Sequence, residues 1–169
     1  MLDVSHLTGT FRERGALTGP LPDGRVAAVA MVFRVTSDGV RLCLGRRAAV
    51  ANDPWSGDLA FPGGKADPGD ATLHDVAARE TSEEVGLLLS QSDLIGDLGH
   101  VPAHGPKRPL ATYPLIYLLD RTPAPFRLNH EFSDAQWVRV DDLWNVGNWM
   151  RFLYPPTGTE FTGIRTMDH

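Results

Sequence analysis

Apolar and polar positions alternate or cluster in short runs over the first third of the chain, which predicts strands. Arg25 to Val35 is rich in Val, Ala, Met and Phe and is predicted to be a strand. Ser37-Asp38-Gly39 has the composition of a hairpin turn, so a second strand is predicted from Val40 to about Gly45. A short strand from Asp58 to Phe61 then leads into a glycine-rich turn.

The second half of the chain predicts further strands and a short helix. Gly96 to Val101 and Thr112 to Leu119 have strand composition, and Ala135 to Val140 alternates in the manner of another strand. Asp141 is expected to cap a short helix that runs through Val146. Residues 1–22 are interpreted as an irregular lead-in, and residues 23–169 as a single domain whose tail, from about residue 144, has no clear helix pattern.

One long helix is predicted between the two groups of strands. Asp67-Pro68-Gly69-Asp70 is a turn sequence in which Asp70 can cap the helix, and no Pro or Gly occurs from Ala71 to Val85. Gly86 stands where a left-handed C-terminal cap is expected. Strands on both sides of this helix, with a second helical segment, predict an α/β fold in which helices pack against a mixed β-sheet.

Three glutamates in this helix are candidate metal ligands. Residues three and four apart share a helix face, so Glu80, Glu83 and Glu84 are expected to point the same way. Like charges at this spacing repel, and a bound cation would relieve the repulsion. Because every candidate ligand is a carboxylate oxygen, Mg²⁺ or Mn²⁺ is favoured over zinc. A solvated acidic face is the alternative, but the ordered series of glycine turn, capped helix, Arg-Glu and Glu-Glu favours a site.

The segment from Gly64 to Leu87 resembles the Nudix box, the signature of the Nudix hydrolases. That signature is G, five residues, E, seven residues and R-E-U-x-E-E-x-G-U, where U is aliphatic, and residues 79–87 read R-E-T-S-E-E-V-G-L. The chain departs from it in three ways: Asp70 replaces the first Glu, the following spacing is one residue longer, and Thr81 occupies the first U position. The resemblance implies a Nudix-type α/β/α sandwich with a central mixed β-sheet.

The run before the box is similar to the coenzyme A pyrophosphatase branch of that family. Members carry a segment that ends in G-x-V-A-F-P-G-G, and here Gly57 to Gly64 read G-D-L-A-F-P-G-G. They also carry an upstream L-L-T-x-R-S, for which this chain has the degenerate Leu42 to Arg47. Coenzyme A or its derivatives are therefore one expected substrate, and ADP-ribose, NADH, dinucleoside polyphosphates and nucleoside triphosphates are the others.

The resemblance also implies a reaction and roles for the box residues. The reaction is metal-dependent hydrolysis of a nucleoside diphosphate linked to another group X, in which water attacks one phosphorus. Glu80 and Glu84 would be direct metal ligands, and the Gly64 carbonyl would complete the coordination. Glu83 would bind a further ion or act as the base, and Arg79, which is four residues before Glu83, would orient the cluster. A sensor protein that binds a nucleotide without cleaving it is the alternative.

Several residues outside the helix are candidates for binding substrate. Arg46, Arg47 and Lys65 flank the expected cleft and could hold phosphates, or could be solvated charges. Phe61 and Trp55 could stack on a base or line the entrance, or could pack into the core.

Two candidates lie in the more distal loops. His104, near Lys107 and Arg108, could contact substrate or be a surface residue, and Glu131 could be an auxiliary base or an exposed loop acid.

Composition and net charge limit which binding partners and which cellular location are expected. The 169 residues suit one domain, and a net charge of −5 argues against a general nucleic-acid binder. The longest apolar run, Val26 to Phe33, is too short to cross a bilayer, and the N-terminus lacks a signal-peptide pattern, so a cytoplasmic location without membrane attachment is expected. The single Cys43 excludes an internal disulfide and is expected to be buried. The expected partner is a small nucleotide, and family analogy allows a homodimer.

Overall fold

A computed structural model describes residues 19–51, 53, 55–103, 110–154 and 158–164. Within these residues the strands and helices follow the order that the hydrophobic pattern predicts, with an added short strand at the glycine turn and further additions in the tail. The elements are β1 (Val26–Thr36), β2 (Gly39–Arg47), β3 (Leu59–Ala60), β4 (Gly63–Lys65), α1 (Leu73–Val85), β5 (Leu94–Asp97), β6 (Val101–Ala103), β7 (Leu110–Leu119), β8 (Phe132–Arg139), α2 (Val140–Trp144), β9 (Trp149–Tyr154) and β10 (Thr159–Ile164). Short 3₁₀ turns occur at Gln91–Asp93 and Val146–Asn148.

The main sheet is mixed, as predicted. Its strand order is β3-β2-β1-β7-β5, with β4 paired to β1, β6 to β7 and β8 to β2. The long central strands β1 and β7 run parallel, from Val26 beside Ala111 to Arg34 beside Leu119, whereas the other pairs are antiparallel. This arrangement puts β4, which carries the glycine turn, directly beside the first half of β1.

Side chains of β1 alternate between two cores, one on each face of the sheet. Ala28 and Val32 belong to the larger core, which includes Val76 of α1, whereas Phe33 belongs to a second core with Val140 of α2. Strand side chains point to opposite faces in succession, so this alternation places the sheet between the two helices. The predicted sandwich of helices around a central mixed sheet is thus confirmed.

Helix α1 begins two residues later than the turn sequence predicts. Thr72, not Asp70, is the N-cap: its hydroxyl accepts a hydrogen bond from the Asp75 N–H, and the Asp75 carboxylate accepts one from the Thr72 N–H. This is a complete capping box, which stabilises a helix start. Asp70 instead accepts a hydrogen bond from the Asp67 N–H. The predicted C-cap is correct, since Gly86 is left-handed with φ +74°.

The second half of the chain differs from prediction in its details. The strand predicted from Gly96 to Val101 is two strands, β5 and β6, on either side of a turn. Helix α2 begins one residue before Asp141, and Arg139 at its cap position makes no side-chain capping bond. The tail that had no assigned structure contains a hairpin in which β9 and β10 form a separate two-stranded sheet.

Some predictions fall outside the described residues or concern the surface. Of the lead-in, residues 1–18 lie outside the described part of the chain, while Pro20 bridges to Thr72 and the Leu21 N–H donates to the Ala71 carbonyl at 3.2 Å. His104, Lys107 and Arg108 also lie outside it. Among the helices that the structure describes, none is long and apolar enough to span a membrane.

Candidate active site

The glycine turn brings the sheet backbone against the acidic face of α1. Gly63 has φ +150°, and a Cβ there would collide with the Ala28 carbonyl and with Val29. A Cβ on Gly64 would collide with the carboxylate of Glu80. Gly63 therefore lets β4 lie close to β1, and Gly64 leaves room between β4 and the Glu80 side chain of α1.

Glu84 is the most buried acid of the cluster. It is 4% exposed, and its Oε2 accepts a hydrogen bond of 2.8 Å from the Gly63 N–H. Burial is the main reason that the pKa of Glu84 rises to about 7, and the neighbouring carboxylates of Glu80 and Glu131 act in the same direction. The site therefore favours a proton or another cation on this carboxylate at neutral pH.

Glu80 lies beside Glu84 on the same face of the helix. Its side chain is 16% exposed, and its Oε1 forms an ion pair of 3.0 Å with Nη1 of Arg79. Burial raises the pKa of Glu80, and the charges of Glu83 and Glu131 also raise it, although Arg79 opposes them. Two carboxylates with raised pKa values thus adjoin Gly63 and Gly64, the arrangement expected of a functional site.

Arg79 joins the turn before the helix to the acidic face. Its Nε and Nη2 donate to the two oxygens of Asp70 at 3.2 and 3.0 Å, and Nη2 also donates to the Lys65 carbonyl at 3.1 Å. Its Nη1 donates to Oε2 of Glu83 at 3.2 Å. The hydrogen bonds from Arg79 are the main reason that the pKa of Asp70 is lowered. Asp70, which replaces the Glu of the signature, therefore holds Arg79 in place.

Glu83 lies on the exposed side of the acidic face. Its side chain is 55% exposed, and its described contact is with Arg79. Within the residues that the structure describes, no three carboxylate, imidazole or thiolate groups lie close enough together to surround a single metal ion. The predicted face is present, but its three glutamates differ in depth, and Arg79 holds two of them, Glu80 and Glu83.

Glu131 is the additional acid that the structure brings to the cluster. It is exposed, and its charge contributes to the raised pKa of both Glu80 and Glu84. The backbone around it is held in place, because the Ala48 N–H donates to the Glu131 carbonyl at 2.7 Å and the Asn129 N–H donates to the Glu84 carbonyl at 3.2 Å. The sequence offered only family analogy for this residue.

The predicted substrate-binding residues lie in different environments. Arg47 pairs with Asp53 at 2.8 Å, and its charge acts to lower the pKa of Glu84, so it is close to the acids. Arg46 is its partly exposed neighbour on β2, and Lys65 is exposed on β4, where it lines a cleft of about 190 Å³. Phe61 is partly buried against the second core.

Trp55 and Cys43 lie in opposite environments, one exposed and the other buried. Trp55 is 64% exposed and follows Asp53 in the turn before β3. Cys43 is fully buried in the larger core, and burial raises the pKa of its thiol to about 12. Cys43 therefore has the predicted role of a small apolar core residue.

The acidic cluster has the donor chemistry of a site for a hard divalent cation, although its side chains do not converge on one point within the described residues. Its donors are all oxygens, which suit Mg²⁺ or Mn²⁺. Besides burial, the charge of Glu131 raises the pKa of both Glu80 and Glu84, and a cation bound among these carboxylates would relieve the repulsion. A Cβ at Gly64 would fill the space against Glu80, so the glycine keeps room beside the carboxylates.

Comparisons with known proteins agree with this geometry. The family model described as the NUDIX domain matches residues 24–156. The mitochondrial coenzyme A diphosphatase of Homo sapiens is 36% identical over 136 residues, which are 78% of this chain and 57% of that protein. The peroxisomal coenzyme A diphosphatase 1 of Saccharomyces cerevisiae is 39% identical over 61 residues, which are 36% of this chain and 18% of that protein. This chain thus spans little more than half of the human protein and a fifth or less of the yeast one.

Comparison with solved structures identifies the same fold. The structure of a MutT protein from Methanosarcina mazei Go1 superposes with a TM-score of 0.57 at 21% identity, over 78% of this chain and 86% of that one. Members of the matched family generally use a divalent metal ion. Since the family model covers most of the chain and the sheet, helix α1 and acidic cluster agree with it, this chain belongs to the Nudix hydrolase family.

Proposed function

We propose that this protein is a metal-dependent pyrophosphohydrolase that cleaves a nucleoside diphosphate linked to a group X, with coenzyme A or its derivatives as the first candidate substrate. The observation that carries the proposal is the position of Glu84. This buried carboxylate accepts a hydrogen bond from the Gly63 N–H, and burial together with the charges of Glu80 and Glu131 raises its pKa to about 7. Such a cluster is costly unless a cation compensates it.

Glu80 and Glu84 would hold the metal ion, with Glu83 and the Gly64 carbonyl as further ligands. A Mg²⁺ or Mn²⁺ ion bound there would neutralise charge on the phosphoryl oxygens and the leaving group. Arg79 keeps Glu80 in position through its ion pair of 3.0 Å. Proton transfer from water and binding of the substrate phosphates are left to side chains other than Glu80 and Glu84.

The attacking water needs a group that accepts its proton. Glu83 and Glu131 are both exposed carboxylates beside the cluster, and either can serve as this general base. Arg47 lies near Glu84 and carries a charge that can hold a phosphate of the substrate. The products of the reaction are two phosphate monoesters, because water adds across one phosphoric anhydride bond.

The choice of coenzyme A rests on two kinds of similarity. The human relative, at 36% identity, is a coenzyme A diphosphatase, and so is the yeast relative. The run from Gly57 to Gly64 also resembles the coenzyme A pyrophosphatase branch, and the structure places its last two residues against Glu80 and Glu84. ADP-ribose, NADH, dinucleoside polyphosphates and nucleoside triphosphates are the alternative substrates.

A hydrolysis screen tests this proposal. The purified chain is incubated with Mg²⁺ or Mn²⁺ and each candidate nucleotide, and the products are separated by chromatography. We expect cleavage of coenzyme A to 3′,5′-ADP and phosphopantetheine at a kcat/KM above that of the other nucleotides. Preference for another nucleotide would retain the hydrolase and reject coenzyme A. Tight nucleotide binding without any cleavage would favour a sensor and contradict the enzyme.

A further inference from the structure

A second groove lies next to the acidic cluster, at the C-terminal end of α1. It has a volume of about 520 Å³ and runs between the end of the helix and the segment that follows β7. Side chains or backbone of both segments line it: Ser82, Glu83, Gly86, Leu87, Leu88, Arg121, Thr122, Pro123, Ala124 and Arg127. None of the roles assigned above uses this groove except through Glu83.

The wall that carries Arg127 is attached to the helix by backbone contacts. The Arg127 N–H donates to the Val85 carbonyl at 3.0 Å, and the Asn129 N–H donates to the Glu84 carbonyl at 3.2 Å. Gly86 permits this approach, because a Cβ there would lie 2.8 Å from Cβ of Arg127. The position of Arg127 is therefore tied to the helix end that carries Glu84.

The two arginines of the groove differ in how their charge is balanced. Arg121 donates to both oxygens of Asp93, with 2.8 Å from Nη2 to Oδ2, and also to the Leu88 carbonyl at 2.9 Å. Arg127 is exposed and forms no ion pair with any residue in the described ranges. Of the two arginines that line the groove, Arg127 is thus the one whose charge no carboxylate in the described ranges balances.

Apolar residues and Glu83 of the acidic cluster line the same groove as Arg127. Leu88 is 76% exposed in the groove, and Pro123 and Ala124 line the opposite wall. Glu83, at the edge, accepts a hydrogen bond from Nη1 of Arg79, the same nitrogen that pairs with Glu80. A substrate held at the acidic cluster can therefore extend into the groove past Glu83.

We propose that this groove binds a phosphomonoester of the substrate that lies outside the scissile pyrophosphate, with Arg127 as the residue that recognises it. A planar guanidinium can donate two parallel hydrogen bonds to a phosphate, which gives both affinity and orientation. For coenzyme A this group is the 3′-phosphate of the ribose, which dephospho-coenzyme A lacks. The inference rests on the proposed hydrolase function, and it makes Arg127 a specificity-determining residue.

The test compares coenzyme A with dephospho-coenzyme A as substrates of the full chain in Mg²⁺. In the Arg127→Gln variant we expect the ratio of the two kcat/KM values to fall about tenfold, the range of a charge-assisted hydrogen bond. Arg127→Lys, which keeps the charge, should restore part of the ratio. The control is Arg139→Gln, since Arg139 is an exposed arginine at the end of β8 that does not line the groove. This control should leave the ratio unchanged.

An unchanged ratio in Arg127→Gln would overturn the inference. If the same variant also loses inhibition by inorganic phosphate, the groove holds free phosphate and not a phosphate of the substrate. If the wild-type chain cleaves neither substrate, the hydrolase proposal fails. The role of Arg127 in phosphate recognition is then tested by nucleotide binding alone. In that case Arg127→Gln must lose the preference for 3′,5′-ADP over 5′-AMP in calorimetry, and retention of that preference would contradict it.

Discussion

The chemistry of this protein depends on how deeply each acid of α1 is buried. Helical spacing places Glu80, Glu83 and Glu84 on one face, and that much is predictable from the sequence. The depth at which each glutamate is buried is not predictable from the sequence, because it depends on the close approach of β4. That approach brings the Gly63 N–H to Glu84 and Gly64 to Glu80. Glu84 is consequently buried, while Glu83 stays exposed to solvent.

Substitution of Gly64 tests this close approach. In Gly64→Ala the new methyl group would displace the Glu80 carboxylate, because a Cβ at this position lies well inside van der Waals contact with it. We expect kcat with the preferred nucleotide to fall about 10²-fold, since misplacement by about 1 Å costs that much. Gly69→Ala is the control, as a Cβ on Gly69 meets no atom within 4 Å. Equal rates for the two variants would contradict the assigned geometry.

Arg79 offers a test in which charge is kept and geometry is lost. A lysine cannot reproduce the paired hydrogen bonds to Asp70 together with those to the Lys65 carbonyl and Glu83. We expect Arg79→Lys to reduce kcat about tenfold, because Glu80 loses its fixed partner. Steady-state kinetics at saturating metal measure this effect, and wild-type kcat in the variant would show that Arg79 does not position the cluster.

The helices and strands show which local sequence signals are sufficient to predict where an element begins or ends. The end of α1 at Gly86 is predictable, because only glycine adopts a left-handed cap without strain. The start of α1 is not predictable, since Asp70 and Thr72 are both good capping residues. Asp70 does not cap the helix because its carboxylate accepts hydrogen bonds from Arg79, nine residues further along the chain. The sequence does not predict the tail hairpin of β9 and β10 either, because its apolar and polar residues do not alternate clearly as they do in a strand.

The capping box predicts a stability effect without a catalytic one. Thr72→Ala removes the hydroxyl that accepts from the Asp75 N–H at 3.1 Å, so we expect a loss of about 1 kcal/mol in the free energy of unfolding. Urea denaturation measures it, with exposed Thr162→Ala as the control. Because Thr72 lies at the opposite end of α1 from Glu84, kcat should change less than twofold. A stability equal to that of the control would rule out the cap.

The molecule as a whole is held together by contacts between segments that are distant in sequence. The fold class follows from the order of strand and helix patterns, but the parallel pairing of β1 with β7 and the placement of Glu131 do not. Both depend on which distant segments meet, and a single sequence has no local signal for that. Arg121 and Asp93 make another such link, between the segment after β7 and the turn before β5.

This link predicts a pH dependence of stability. Burial alone would raise the pKa of Asp93, but hydrogen bonds from Arg121 and Ser90 outweigh it, so the pKa is lowered. A lowered carboxylate pKa stabilises the fold above the unfolded value of about 3.9, and this stabilisation is lost as pH falls through the folded value. Wild-type stability should thus decrease more steeply below about pH 4 than that of Asp93→Asn.

Thermal unfolding between neutral and acidic pH measures this difference. At pH 7 we expect Asp93→Asn to be about 2 kcal/mol less stable, because a hydrogen-bonded buried charge is removed. The two proteins should approach each other in stability as the pH falls. Parallel curves at all pH values would show that the Asp93 charge does not contribute to stability.

The most direct test of the account is the rate of coenzyme A hydrolysis in Mg²⁺ by the wild type and by Glu84→Gln. Gln keeps the shape and the hydrogen bond that Glu84 accepts from the Gly63 N–H, but it removes the charge that would hold the metal ion. We predict a loss of at least about 10²-fold in kcat, since metal-centred charge stabilisation supplies several kcal/mol. Unchanged turnover in a folded Glu84→Gln protein would contradict the metal site and the hydrolase that depends on it.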